Sequence, residues 1–317
     1  MRLPRRGRAS AAVRPPVATA PEAHGPVLDG DLLRQLERLR FSTLTEIVAG
    51  LVGERRGRAR VAHLEFADYR PYVAGDELRR IDWNIYRRLH QLVVKVGIED
   101  GRLSLALLID VSRSMRVGEP SKLRAAQRLA AALGAIALLR GDRADVHVLG
   151  DGRARSIVRL EGPGQLSALA RELEALPTSL GTSLEAELGD YARTGTMTGV
   201  ALLITDANVD LSELERALAV LATRAGAAGL LHVVAPDELE TSLRGPIELR
   251  DAETGEAIET TLGDADATAY AERVQARMHA VRELCRRAGV GYVQVRSDDA
   301  PLDVLLAHAR ETSISVV

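Results

Sequence analysis

The sequence predicts an α/β domain with a mainly parallel sheet and helices on both faces. Three observations carry this reading. From residue 103 onward, short apolar runs of strand length alternate with stretches of helical length. Several runs, such as Leu103-Ser104-Leu105-Ala106-Leu107-Leu108-Ile109, are apolar almost throughout, as strands buried on both faces are. Two of the runs empty into oxygen-rich loops, Asp110-Val111-Ser112-Arg113-Ser114 and Asp206-Ala207-Asn208. Open α/β sheets bind ligands at the carboxyl ends of their strands.

The elements follow in order. Residues 1–26, rich in Arg, Ala and Pro and without periodicity, read as a disordered basic tail. Residues 27–100 form an N-terminal segment. Within it Leu32, Leu33, Leu36, Leu39, Leu44, Ile47, Val48 and Leu51 recur at helical spacing over 29–52. Arg55, Arg56, Arg58 and Arg60 then form a basic link. The block 64–84 holds Phe66, Tyr69, Tyr72 and Trp83, four of only nine aromatic residues, and reads as a local packing knot. In it Asp76 is placed to cap a helix over 77–86. Arg79, Arg80, Arg87 and Arg88 have Asp68, Glu77 and Asp82 as ion-pair partners within reach. The same block offers a partner surface through Tyr69, Arg70, Asp76, Arg79, Arg80, Asp82 and Trp83. Residues 92–98 read as a strand.

The α/β domain is expected over 101–317. Strands are predicted at 103–109, 145–149, 155–160, 200–205, 229–234 and 291–295, and helices at 121–139, 165–176, 183–193, 211–225, 265–288 and 301–310. Residues 246–262 read as a hairpin turning at Thr254-Gly255.

Composition narrows the function classes. At 317 residues, 46% hydrophobic and 27% charged, the chain can build a sizeable core. A net charge of −2 gives it no polyelectrolyte character, so a nucleic-acid reading rests on the Arg55–Arg60 cluster alone. The single cysteine, Cys285, excludes an intramolecular disulfide and a thiolate zinc cage, and reads as a small buried apolar residue. No stretch reaches the ~18 apolar residues of a membrane span. The nearest, residues 129–139 with Gly134, reads as a buried helix. The first 20 residues carry five arginines but no apolar signal region follows, so the expected compartment is the cytoplasm.

The oxygen-rich loops carry the chemistry. Asp110, Ser112 and Ser114 leave one strand end, Thr182 opens a helix and Asp206 leaves another strand end. Three hydroxyls and two carboxylates suit a hard divalent cation, magnesium or alternatively manganese. Each loop has a plainer reading too: Thr182 and Glu185 make a capping box, and Asp206 a turn.

The motif D-x-S-x-S, then Thr182, then Asp206 after Ile204-Thr205, resembles the metal-ion-dependent adhesion site of von Willebrand factor A domains. That resemblance covers roughly 101–317. It implies a mainly parallel sheet flanked by helices, with the metal at its top. It assigns the five motif positions to Asp110, Ser112, Ser114, Thr182 and Asp206. Ser112, Ser114 and Thr182 would ligate directly, Asp110 and Asp206 would act chiefly through waters or from behind the ligating groups, and a partner's Asp or Glu would complete the shell. The hairpin over 246–262 departs from the pattern. The segments 65–72 and 75–84 are similar to the defining block of the bacterial domain of unknown function 58 family, which precedes a von Willebrand A-like domain. Members are often encoded beside MoxR-type AAA ATPases, which makes such an ATPase the expected partner, in protein assembly or remodelling. Many also carry transmembrane helices upstream.

The reading is thus a magnesium-dependent protein-interaction module without enzymatic activity. Two alternatives stand beside it: a metal-dependent phosphoryl-transfer or hydrolase enzyme, and a nucleic-acid-binding protein. Against the enzyme, the sequence holds no G-x-x-x-x-G-K-[ST] loop, no G-x-S-x-G elbow and no H-E-x-x-H pair.

Overall fold

The computed structural model describes residues 25–38, 68–71, 86–87, 92–96, 103–179, 183–194, 198–239, 245–250 and 257–314. The strands are β1 (Asp68–Pro71), β2 (Val93–Val96), β3 (Ser104–Asp110), β4 (Arg143–Gly150), β5 (Arg153–Glu161), β6 (Thr198–Thr205), β7 (Ala225–Val234), β8 (Gly245–Arg250), β9 (Ala257–Leu262) and β10 (Gly291–Arg296). The helices are α1 (Gly30–Arg38), α2 (Lys122–Leu139), α3 (Leu166–Glu174), α4 (Leu184–Thr194), α5 (Leu211–Arg224), the single turn α6 (Pro236–Leu239), α7 (Asp264–Ala288) and α8 (Pro301–Ile314).

Six strands form the central sheet in the order β10-β7-β6-β3-β4-β5. All neighbours are parallel except β4 and β5, which are antiparallel. This is the α/β class that the alternation of strands and helices predicts. It also agrees with the von Willebrand factor A-like arrangement of a mainly parallel sheet between helical layers.

The apolar run of β3 explains its central place. Leu105, Leu107 and Ile109 pack to one side, in a core with Leu129 and Leu133 of α2 and Leu169 of α3. Ala106 and Leu108 pack to the other side, with Leu188 of α4, Leu218 of α5 and Leu284 of α7. A strand covered on both faces has no use for polar alternation. The chain leaves β3 toward β4 on one flank and later returns through β6 on the other. Such a reversal of direction leaves a crevice at the carboxyl ends of the two middle strands.

Helix α2 packs closely against α3. A β-carbon on its Gly134 would stand 2.8 Å from Leu169 Cδ2. Its start is set by Ser121, whose hydroxyl accepts the Arg124 N–H at 3.2 Å. Ahead of the domain, α1 buries Leu32 and Leu36 in the α2 core, joined by Val27. The Val27 N–H also donates to Glu174 Oε1.

Most predicted elements stand within a few residues of their expected bounds. Strand β7 begins at Ala225, four residues before the expected start at 229. Ala225-Gly226-Ala227-Ala228 has low strand propensity, and the run is extended because β6 pairs along it. The turn α6 was not predicted. The helical spacing over 29–52 is realised as α1, and residues 39–52 lie outside the described residues. So do Asp76, Arg79, Arg80, Asp82 and Trp83, while Tyr69 and Arg70 fall on β1, paired antiparallel with β2.

Candidate functional site

The carboxyl ends of β3 and β6 bring Asp110 and Asp206 to one rim of the sheet. β3 ends on Asp110, and β6 hands over to Asp206 after Thr205. Both carboxylate residues are buried, Asp110 to 1% exposure and Asp206 to 8%. After Asp110 the chain makes a short 3-10 turn, Arg113–Arg116, that brings Ser112 back toward Ser114. Their hydroxyl oxygens stand 3.1 Å apart, and both side chains are buried. Asp110 Oδ1 accepts the Ser112 N–H at 2.9 Å, and Oδ2 accepts the Thr205 hydroxyl at 2.6 Å. Asp110, Ser112 and Ser114 are therefore gathered at one place. Thr182 lies outside the described residues.

Electrostatics mark the cluster. Burial, and after it the nearby charge of Asp206, push the Asp110 carboxyl up to about 7 against the bonds from Thr205 and Ser112. Asp206 faces a cation: Lys122 Nζ lies 2.8 Å from its Oδ2. The same ammonium lies 2.5 Å from Glu238 Oε1 of α6. Burial opposes the charge on Lys122, yet Asp206 and Glu238 together hold it above its ordinary range.

The Asp206 loop is held from several directions. Its Oδ1 accepts the Asn208 N–H at 3.1 Å. Ala207 takes a left-handed φ of 51°, which a non-glycine residue adopts only when its surroundings impose it. Those surroundings are visible. The Thr205 hydroxyl accepts the Ala207 N–H at 3.0 Å. Arg277 of α7 donates to the carbonyls of Ala207 and Val209. His232 Nε2 lies 2.9 Å from the Asp206 carbonyl oxygen and Nδ1 3.0 Å from the Tyr292 hydroxyl. Burial brings the imidazole down to about 4, so it is neutral at pH 7 and donates one of these bonds while accepting the other.

Beside the D-x-S-x-S loop lies a cavity of about 430 Å³, lined among others by Val111, Gly150, Arg153, Arg155, Thr178 and Ser179. Ser179 ties it to the site, because its N–H donates to the Val111 carbonyl at 2.9 Å. Asp151, also on the lining, is engaged by the Ser179 hydroxyl at 2.9 Å. Arg153 and Arg155 are exposed and have no partner among the described residues.

Sequence reasoning missed Thr205, Lys122, Glu238, His232, Arg277 and Ser179. Only Lys122 left a usable trace: of 42 basic residues, just Lys95 and Lys122 are lysine. A compact point charge stands there in a chain whose other basic residues, Lys95 apart, are arginine. Cys285 is buried as expected, and burial pushes its thiol up to about 12.

The profile of the family described as "Protein of unknown function DUF58" matches residues 68–281. The chain belongs to the DUF58 family. This DUF58 chain is 23% identical over 296 residues to uncharacterized proteins of Mycobacterium tuberculosis and Mycobacterium bovis, covering 92% of either chain. Among solved structures it is similar to the conserved hypothetical protein BatB from Bacteroides thetaiotaomicron, at 19% identity and a TM-score of 0.42, over 68% of this chain and 100% of that one. It is also similar to the SpRpn10 VWA domain, at 13% identity and a TM-score of 0.35, over 65% and 94% of the two chains. Among the described residues of this DUF58 protein, no helix is long and apolar enough to cross a membrane.

Proposed function

We propose that the β3–β6 rim is a magnesium-dependent docking site for a partner protein's carboxylate. The observation that carries this reading is the buried cluster of Asp110, Ser112 and Ser114, with the two hydroxyl oxygens 3.1 Å apart. Adjacent oxygens around magnesium, each at about 2.1 Å from the ion, are about 3 Å apart in an octahedron. The two seryl oxygens thus have the separation of one octahedral edge. Charge fits as well. Asp206 and Glu238 are two carboxylates on one ammonium, so this group retains negative charge for a divalent cation to offset. The ion would supply an electrophilic docking point. The chain's own residues would hold it through Ser112, Ser114 and Thr182, with Asp110 and Asp206 behind them.

The partner's chemistry follows from the neighbouring cavity. Arg153 and Arg155 present charge to its opening, so an acidic segment is favoured, one carboxylate reaching the metal. By family resemblance a MoxR-type AAA ATPase is the protein to test first. Isothermal calorimetry with Mg²⁺ and Mn²⁺, wild type against Asp110→Ala, tests the metal. Equal heats from both proteins would sink it. Affinity capture with and without chelator, followed by mass spectrometry, tests the partner. Recovery of an AAA ATPase only with metal is the expected outcome. Recovery regardless of metal would move docking to the 64–84 block.

A further inference from the structure

We propose that Lys122 is a tethered counter-ion that competes with the metal for Asp206 and so limits how tightly the rim holds a cation. The inference rests on the metal reading above and names how that site is tuned. Three segments far apart in sequence meet at this one amine: the start of α2, the loop after β6, and α6. The Lys122 and Asp206 side chains are each 3% exposed, while Glu238 is 32% exposed at the outer side. A buried ion pair of this kind is weak evidence for stability, because desolvation offsets most of its attraction.

Helix formation does not account for the charge either. Lys122 is the first residue of α2, where the helix dipole favours acids and disfavours a cation. Nor is the amine a substitute for a nearby arginine, since a planar guanidinium does not occupy the place of a compact point charge.

The geometry gives the amine a specific part. Asp206 Oδ1 is engaged by the Asn208 N–H and Oδ2 by Lys122, so neither carboxylate oxygen stands free. A metal drawing on Asp206 must share it with the ammonium. Glu238 sets the terms of that sharing. Its Oε2 is fixed by the Ala235 N–H at 2.8 Å, which leaves Oε1 as a second anchor for Lys122. The amine therefore has somewhere to go when a cation arrives: it can relax toward Glu238 without being stranded in the core. The result is a site that takes up metal reversibly in place of holding it permanently.

Calorimetric titration of the full chain with Mn²⁺ and Mg²⁺ tests the proposal. Lys122→Met should tighten binding roughly 10-fold, the scale of removing a unit charge a few ångströms from the ion at a partly buried site. Glu238→Gln should weaken it about 3-fold, because the amine then acts on Asp206 alone. Lys122→Arg, monitored with circular dichroism, separates charge from shape: its affinity should lie between wild type and Lys122→Met. Unchanged or weaker binding by a folded Lys122→Met, with binding still abolished in Asp110→Ala, overturns the counter-ion role and leaves the metal site standing. If Lys122→Met does not fold, Glu238→Gln decides, and unchanged or tighter binding there overturns the role. Absence of binding by the wild type removes the metal reading itself, and the proposal with it.

Discussion

At the residue scale, Asp110 and His232 stand under opposite electrostatic loads. Asp110 is raised to about 7 by burial, so the folded chain keeps its proton where the unfolded chain has lost it. Its contribution is greatest below the unfolded value and is lost as pH rises from about 4 to about 7. His232 is lowered to about 4 by burial. Its contribution is full above the unfolded value near 6.5 and is lost as pH falls toward 4. Between pH 7 and 5 the two oppose each other, with limiting slopes of ~1.4 kcal/mol per pH unit each. Urea denaturation should show this directly. Asp110→Asn should lose stability on acidification from pH 7 to 5, and His232→Gln should gain it. Parallel profiles for the two variants would disprove the assignment. Asp110→Asn should also melt a few degrees above the wild type at pH 8 without metal, because an ionised buried carboxylate has been removed. Added Mg²⁺ should then raise the wild-type melting temperature alone.

At the element scale, the rim depends on close approaches that only glycine permits. Gly118, in the loop between the 3-10 turn and α2, has φ +99°, and a β-carbon there would stand 2.7 Å from Ala235 Cβ. Ala235 immediately precedes α6, so this contact seats the turn that carries Glu238. Gly118→Ala should destabilise the chain by about 2 kcal/mol or more, measured by chemical denaturation. A neutral result would mean the loop has room to shift. The hairpin is the contrasting case. β8 and β9 form a separate two-stranded sheet, and β9 exposes residues on both faces, with Ile258 at 67%. Replacing residues 245–262 by a short Gly-Ser link should leave the melting temperature within about 2 °C and the metal titration unchanged. Loss of either would give the hairpin a place in the core or the site.

What the sequence revealed divides by range. β3 and β6 were legible because continuous apolar runs of that length have few other uses, and Asp110 and Asp206 because they follow those runs directly. The start of α2 was legible to within one residue, though the expected helix includes Ser121 and the structure makes it the cap. The first half of β7 was not, since alanine and glycine become a strand only through their neighbours. α6 is too short to show periodicity. Lys122 meets Asp206 across 84 residues and Glu238 across 116, and no local pattern encodes such pairs. Side-chain convergence is a property of topology, and the sequence shows only which residues are available for it.

At the scale of the whole molecule, the central sheet divides the interior into two apolar clusters, one against α1, α2, α3 and α8 and one against α4, α5 and α7. Substitutions in different clusters should therefore add. Leu133→Ala in α2 and Leu218→Ala in α5 should each cost about 2–5 kcal/mol. Together they should cost their sum within about 0.5 kcal/mol in a double-mutant cycle. A larger coupling would mean the sheet transmits packing between its faces.

The strand order also has a temporal consequence. β3 pairs at once with nearby β4, but its other neighbour, β6, arrives only after residue 198 has been made. The Thr205 hydroxyl that steadies Asp110 and the Glu238 that anchors Lys122 come later still in synthesis. On the ribosome, a nascent chain that has released only β3 through β5 carries Asp110, Ser112 and Ser114 without the other half of their rim. Any docking on this rim would thus have to wait until Glu238 has emerged, more than a hundred residues after Asp110. A partner recognising the finished rim would read, in one contact, that β6 and α6 have joined β3.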